Sequence, residues 1–282
     1  MIFRSTVVAA AVLVFMLLAL ACAPAGQRSG DAENTLTVFA AASLAESFQA
    51  LATAFEDDHP GVRVAFNFAG SQTLRTQLEH GAEADVFASA NWQHMAQVKE
   101  SGLLGNVPEY FAATRLAVAV PADSDAVQAL ADLARPGVSI AIAAEEVPAG
   151  AYTRESLTLL AASGAFPGDY ASAVLSNVVT NETSVRGVAQ KVALGEVDAG
   201  IVYETDALAA QYAHAIRTLE IPLQFNPAAQ YPIAALSTTD ELETALEFIK
   251  FVQGDSGQAI LREHGFVPPA NITCPCHAGS AS

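Results

Sequence analysis

The chain has 282 residues, 52% hydrophobic and 15% charged, with 30 acidic against 13 basic side chains and a formal net charge of −17 at pH 7. That balance excludes nucleic acid as a partner, because phosphates require Lys and Arg. It also opposes long-range capture of anions, so any anion site here must work through local dipoles and hydrogen bonds.

Met1 and Arg4 precede an apolar run from Val7 to Ala21, the form of a secretory signal. The run is shorter than the roughly 20 residues that span a bilayer. Its end, Ala19-Leu-Ala-Cys22, resembles the bacterial lipoprotein processing site, with Ala19 where leucine is usual. Lipidated Cys22 would become the first residue after cleavage. Residues 1–21 are read as a lipoprotein signal peptide and 22–35 as a flexible tether. The remainder is long enough for two modest domains.

Thr37-Val-Phe-Ala-Ala-Ala-Ser43 reads as an apolar strand that delivers a hydroxyl to a helix start. The apolar spacing of Leu44, Phe48, Leu51 and Phe55 predicts that helix, with Ser43 as its N-cap. Pro60-Gly61 is a turn, and Val62, Val64, Phe66 and Phe68 share one face of a second strand. Ala69-Gly70-Ser71 then opens a helix bearing Leu74 and Leu78, so strand, small residues, hydroxyl and helix recur. Asp85 to Ala90 is a buried strand, and Trp92 to Glu100 a helix with Trp92 and Met95 in the core. Leu116 to Val120 is a strand, Asp125 to Ala134 a helix and Val138 to Ala143 a strand. A helix over Tyr152 to Ala162 follows. Ala173 to Val179 has strand character and leads to Ser184-Val185 and another helix. Gly200-Ile-Val-Tyr203 is a strand feeding a helix from Ala207 to Ala213. After Ile221-Pro222 the chain is irregular up to Gln230. Tyr231 to Leu236 is a returning strand, followed by helices around Leu242 to Ile249 and Gly257 to His264. This alternation argues an α/β protein with mixed, mostly parallel sheets.

The chain lacks the motifs of nucleotide, zinc and serine-hydrolase sites: no Gly-rich loop ending in Lys, no His-Glu-x-x-His, no Gly-x-Ser-x-Gly. His59, His80, His94, His214 and His264 are expected on helix or turn surfaces. Cys274-Pro-Cys276-His277 closes too small a ring for an easy disulfide and offers too few ligands for a metal. Residues 272–282 are read as a disordered tail. Ser43, Ser71, the Pro148-Ala149-Gly150 turn and Ser184-Val185 each open a helix, where N–H groups lack intrahelical partners. Hydroxyls and amides supply the donors that a fully deprotonated oxyanion needs. Pattern alone leaves two readings open: four unrelated helix caps, or donors converging on one anion.

The ordered motifs resemble the periplasmic molybdate-binding proteins of ABC importers. They are Leu36-Thr-Val-Phe-Ala-Ala-Ala-Ser-Leu44, Phe68-Ala-Gly-Ser-Gln-Thr-Leu74 and Gly81-Ala-Glu-Ala-Asp-Val-Phe-Ala-Ser-Ala90. Val147-Pro-Ala-Gly-Ala-Tyr152, Gly200-Ile-Val-Tyr-Glu-Thr-Asp-Ala207, Tyr231-Pro-Ile-Ala and Gly265-Phe266 complete the series. Glu83 stands where the family has Pro, and Thr183-Ser-Val-Arg186 where it often has Glu-Asp-Val-Arg.

The resemblance implies a two-lobed type II periplasmic-binding fold with the ligand in a cleft. Lobe 1 would be 36–115 with 230–271, and lobe 2 116–229. By motif, the molybdate or tungstate contacts would be Ser43 and Ser71 from lobe 1, and Ala149, Val185 and Tyr203 from lobe 2. Ala149 and Val185 would act through backbone N–H, and Arg186 would be structural. The protein would be a monomeric extracytoplasmic receptor, held to the membrane by lipid on Cys22 and serving an ABC permease. It would have no catalytic step, cofactor or metal-ion ligands. Competing readings are a receptor for sulfate or another tetrahedral oxyanion, an exported serine hydrolase using Ser43 or Ser71, and a protein-binding lipoprotein.

Overall fold

The computed structural model describes residues 34–269. The expected signal peptide, tether, Cys22, Cys274, Cys276 and tail lie outside the described residues.

Two five-stranded sheets form two lobes. The first contains β1 (Asn34–Ala41), β2 (Val62–Ala69), β3 (Val86–Ala88), β4 (Glu109–Thr114) and β10 (Ala229–Ala235), in the order β2-β1-β3-β10-β4. The second contains β5 (Leu116–Pro121), β6 (Ile140–Ala143), β7 (Val178–Glu182), β8 (Ala199–Tyr203) and β9 (Ile216–Glu220), in the order β7-β6-β8-β5-β9. The chain crosses from one sheet to the other through Arg115 and returns between Glu220 and Ala229.

The sheets are mixed, as expected, with parallel and antiparallel pairings roughly even rather than mostly parallel. β1 pairs parallel with β3, and β6 with β7 and β8. β10 runs antiparallel to β3 and β4, and β5 antiparallel to β8 and β9. The reason lies in the connections. Strands joined through a helix on a sheet face come out parallel. β4, β5, β9 and β10 instead carry the chain between lobes, so their direction follows the crossings.

Helix α1 (Ala45–Asp58) buries Phe48, Leu51 and Phe55, the face its spacing predicts. The Phe48 ring packs against Phe66, Phe111 and Phe248 with centroids 6.2, 5.6 and 6.2 Å away, joining α1 to both ends of the chain. Helices α2 (Ser71–Glu79), α3 (Trp92–Glu100), α4 (Pro148–Ala162), α5 (Tyr170–Ser176), α6 (Val185–Ala193), α7 (Glu204–Ala207), α8 (Leu242–Gln253) and α9 (Asp255–Glu263) complete the layers.

Several local expectations are corrected. The segment read as a strand over Ala173 to Val179 is α5 followed by β7. Tyr170 is buried and its hydroxyl donates to the Leu130 carbonyl at 2.6 Å, fixing the helix to the lobe. Only a short 3-10 turn, Leu130–Ala134, forms where a helix from Asp125 was expected. The Asp132 carboxylate accepts from the Gln128 and Ala129 N–H groups at 2.9 Å each and tightens the chain there. Likewise α7 and a 3-10 turn replace the helix read over Ala207 to Ala213. Strands β4 and β9 form where the sequence pattern marks no element. Trp92 is 40% exposed and lies against Tyr110 rather than in the core, whereas Met95 is fully buried. His94 is buried rather than superficial.

Candidate functional site

Four chain turns converge at the edges of the two sheets that face each other. β1 ends at Ala41 and enters a 3-10 turn, Ala42–Leu44, before α1. Ser43 sits inside that turn and does not cap α1 by its side chain. Its Oγ lies 3.0 Å from the Tyr231 hydroxyl on β10, a contact that the N-cap reading missed.

At the end of β2, Gly70 is the N-cap of α2 and Ser71 its first residue. The Ser71 hydroxyl accepts a hydrogen bond from the Ala90 N–H at 3.0 Å, so its own proton is free to turn elsewhere. A Cβ on Gly70 would come within 2.5 Å of the Thr183 carbonyl in the other lobe, which explains glycine at this position.

The second lobe supplies two more helix starts. Val147 is the N-cap of α4, with Pro148 in the first turn, where a missing N–H costs nothing. Ala149 follows. Gly150 permits the helix to pack on the end of β6, since a Cβ there would collide with the Ala144 carbonyl. Ser184 caps α6 by accepting from the Gly187 N–H at 3.4 Å, and Val185 is the first helical residue. Tyr203 ends β8, 1% exposed.

Ser43, Ser71, Ala149, Val185 and Tyr203 all line one cavity of about 10 Å³. That is about the least room that holds one water. Ala41, Gly70, Ala90, Val147, Pro148 and Ser184 are among its other walls, and no charged side chain among the described residues lines it. The starts of α2, α4 and α6 border it, and such ends carry unpaired N–H groups and a positive partial charge.

The Tyr203 hydroxyl is buried and has no hydrogen-bond partner among the described residues. The Tyr231 hydroxyl is within electrostatic reach but without hydrogen-bond geometry. Burial, followed by the neighbouring Tyr231 and Tyr152, holds the Tyr203 phenol well above its usual range, so it is a neutral donor. An orphaned buried hydroxyl costs free energy unless something accepts from it. The arrangement therefore offers neutral donors to a guest from several directions.

The nearest cation is turned away. Arg186 lies outside the cavity and pairs with Glu46 across the lobes through both terminal nitrogens. Its Nε lies 2.8 Å from Asp206 Oδ1. Burial alone would lower the Arg186 pKa, but the Glu46 bond and the charges of Asp206 and Glu46 outweigh it and raise it. Burial likewise raises Asp206 to about 6 against the pull of Arg186. The structural role read for Arg186 fits this pairing. A larger, open groove of about 860 Å³ runs beside the pair, but its arginine is already neutralised.

Two further links join the lobes at the rim. Gln72 Nε2 donates to the Thr183 carbonyl at 2.8 Å, and His94 Nε2 lies 2.9 Å from the Glu146 carbonyl. Burial, opposed by hydrogen bonds to Glu146 and Gln97, lowers the His94 pKa. Among the described residues, none of the three cavity serines is bonded to a histidine: Ser43 meets Tyr231, Ser71 meets Ala90 and Ser184 meets Gly187. Nucleophile activation requires such a base within reach.

A family model described as bacterial extracellular solute-binding protein matches residues 36–267. The chain belongs to that family. This solute-binding protein is 37% identical over 250 residues to the molybdate-binding protein ModA of Mycobacterium tuberculosis, covering 88% of this chain and 90% of the relative. It is 30% identical over 261 residues to the putative ABC transporter substrate-binding lipoprotein YvgL of Bacillus subtilis, with 91% and 95% covered. Among solved structures, the sulfate-binding protein SubI of Mycobacterium tuberculosis superposes with a TM-score of 0.76 at 20% identity, covering 84% of this chain and 88% of that one, which speaks for the fold alone. The solute-binding family is one of capture rather than turnover, and the walls of the cavity fit that role.

Proposed function

We propose that this solute-binding protein captures molybdate between its lobes and delivers it to the permease of an ABC importer. The observation that carries the reading is the single uncharged cavity lined by Ser43, Ser71, Ala149, Val185 and Tyr203, with one hydroxyl still unpartnered. Molybdate is a fully deprotonated tetrahedral dianion and accepts from every side. Each hydrogen bond to charge contributes about 1.5–3 kcal/mol, and each helix start roughly 0.3–1 kcal/mol. Several together offset the loss of hydration that one serine could not. The likeness to the mycobacterial molybdate-binding relative supports this choice of guest.

Lobe 1 takes residues 36–115 and 230–271, and lobe 2 takes 116–229. Closure about Arg115 and the Gln230 region brings the serine side against the Ala149, Val185 and Tyr203 side. Lipid on Cys22 holds the monomer to the outer face of the cell membrane, a reading supported by the lipoprotein relative. Mass spectrometry of the membrane fraction tests it, and an unmodified Cys22 or a cleavage elsewhere contradicts it.

Tungstate has nearly the shape and charge of molybdate and is expected to bind comparably. Sulfate is smaller, so a cavity that fits molybdate reaches it with fewer donors. Parallel calorimetric titrations with molybdate, tungstate and sulfate test the assignment. Tight sulfate binding with weak molybdate binding would reject it.

A further inference from the structure

Tyr231 does not line the cavity, yet it controls one of the groups that does. It stands on β10, the strand that returns from the second lobe, and is fully buried. Its ring is boxed by Phe111, Tyr203 and Phe266 at centroid distances of 6.3, 6.0 and 5.5 Å. That packing fixes its hydroxyl 3.0 Å from Ser43 Oγ.

In geometric terms either oxygen could donate. Chemistry chooses: a phenol is a far stronger acid than an alkyl alcohol, so it is the better donor and the poorer acceptor. The Tyr231 proton then occupies Ser43 Oγ, and the serine must turn its own proton elsewhere. The cavity that Ser43 lines receives it. Ser71 is committed the same way by a different donor, the Ala90 N–H at 3.0 Å. Two serines from separate elements are thus set to donate inward.

Resting on the oxyanion reading above, we infer that Tyr231 is a positioning residue for selectivity: by donating to one lone pair of Ser43 Oγ it turns the serine's single proton into the cavity, so an oxyanion that carries a proton meets a donor there instead of an acceptor. Such an oxyanion brings an O–H that needs an acceptor. No carboxylate lines the cavity to supply one. A buried donor left unpaired is penalised, which amounts to roughly 10-fold or more in affinity. Discrimination comes from this mismatch as much as from attraction to the preferred guest.

The test is titration calorimetry at pH 8 with molybdate, and with hydrogen phosphate in competition against it. At that pH both carry two negative charges and only phosphate keeps a proton. The wild type, Tyr231→Phe and Ser43→Ala are compared. In Tyr231→Phe the Ser43 hydroxyl is freed to turn its proton away and present a lone pair to the cavity. Molybdate affinity falls severalfold and the molybdate-to-phosphate preference falls by roughly 10-fold. In Ser43→Ala, molybdate affinity falls without any gain in phosphate tolerance. An unchanged preference in Tyr231→Phe, whether or not both affinities drop, overturns the role of Tyr231 and leaves the oxyanion reading standing. Failure of the wild type to bind molybdate overturns the oxyanion reading itself. Neutron diffraction from deuterated, molybdate-soaked wild-type crystals reads the same assignment without a variant. The deuteron between the two oxygens is expected on Tyr231, and finding it on Ser43 contradicts the inference.

Discussion

At the scale of single residues, the free hydroxyl of Tyr203 separates binding from stability. It has no hydrogen-bond partner among the described residues, so removing it takes nothing from the empty fold. Tyr203→Phe is expected to leave the melting temperature of the empty protein unchanged or slightly higher. Molybdate affinity should fall by about 10-fold to 100-fold, the worth of one hydrogen bond to charge. Calorimetry and thermal unfolding on the same preparation check both halves, and a destabilised empty protein with intact affinity would contradict the assignment. Ser43 and Ser71 were legible because each follows a strand and precedes a helix. Tyr231 was legible only as part of a strand, because its contact to Ser43 spans 188 positions and depends on where β10 lies in the sheet. His94 was misplaced for a related reason: its carbonyl partner belongs to the other lobe.

At the scale of elements, the helix starts work only if the turns before them close tightly. Gly70→Ala would place a Cβ against the Thr183 carbonyl of the opposite lobe. Opening the cleft relieves that clash, so the variant should fold normally yet bind molybdate at least 10-fold more weakly, with a larger radius by X-ray scattering when loaded. Wild-type affinity in this variant would show that the contact is dispensable. The Arg186 cluster gives a pH effect of known sign. Asp206 is raised from 3.8 to about 6, so between those values the folded state holds the proton more firmly than the unfolded state. Its contribution to stability therefore falls as pH rises through that window. Glu46, with its pKa lowered by Arg186 despite burial, acts in the opposite sense and loses its contribution as pH falls. Asp206→Asn should remove only the first component. Denaturant unfolding from pH 4 to 6 should then show a stability that rises more steeply with pH than in the wild type, and an identical profile would contradict the raised value. Elements with strong apolar periodicity, such as α1, were readable from sequence. The 3-10 turn at Leu130–Ala134 and helix α5 were not: the Asp132 carboxylate competes locally for the Gln128 and Ala129 N–H groups, and Tyr170 ties α5 to Leu130, 40 positions away.

At the scale of the whole molecule, two crossings hold the lobes in relation to each other, and Asn226 clasps them. Its side chain accepts from the Leu116 N–H at 3.0 Å and donates to the Leu116 carbonyl at 2.8 Å. Arg115 donates to the Asn226 carbonyl at 2.8 Å, so the outgoing and returning chains are tied at one point. The α/β class was legible in the alternation of strands and helices, and the two lobes only through the resemblance carried by the ordered motifs. The antiparallel placing of β5 and β10 was not, since local periodicity carries no strand direction. The Glu46–Arg186 link was equally hidden, because it joins positions 140 apart. The central claim is that neutral donors from both lobes enclose one dianion. A crystal structure grown with molybdate tests it most directly through the anomalous signal of the metal. The expected result is one peak in the cavity, with oxygens about 2.7–3.1 Å from the hydroxyls of Ser43, Ser71 and Tyr203 and the N–H groups of Ala149 and Val185. A peak in the open groove beside Arg186, with the cavity unfilled, would contradict it.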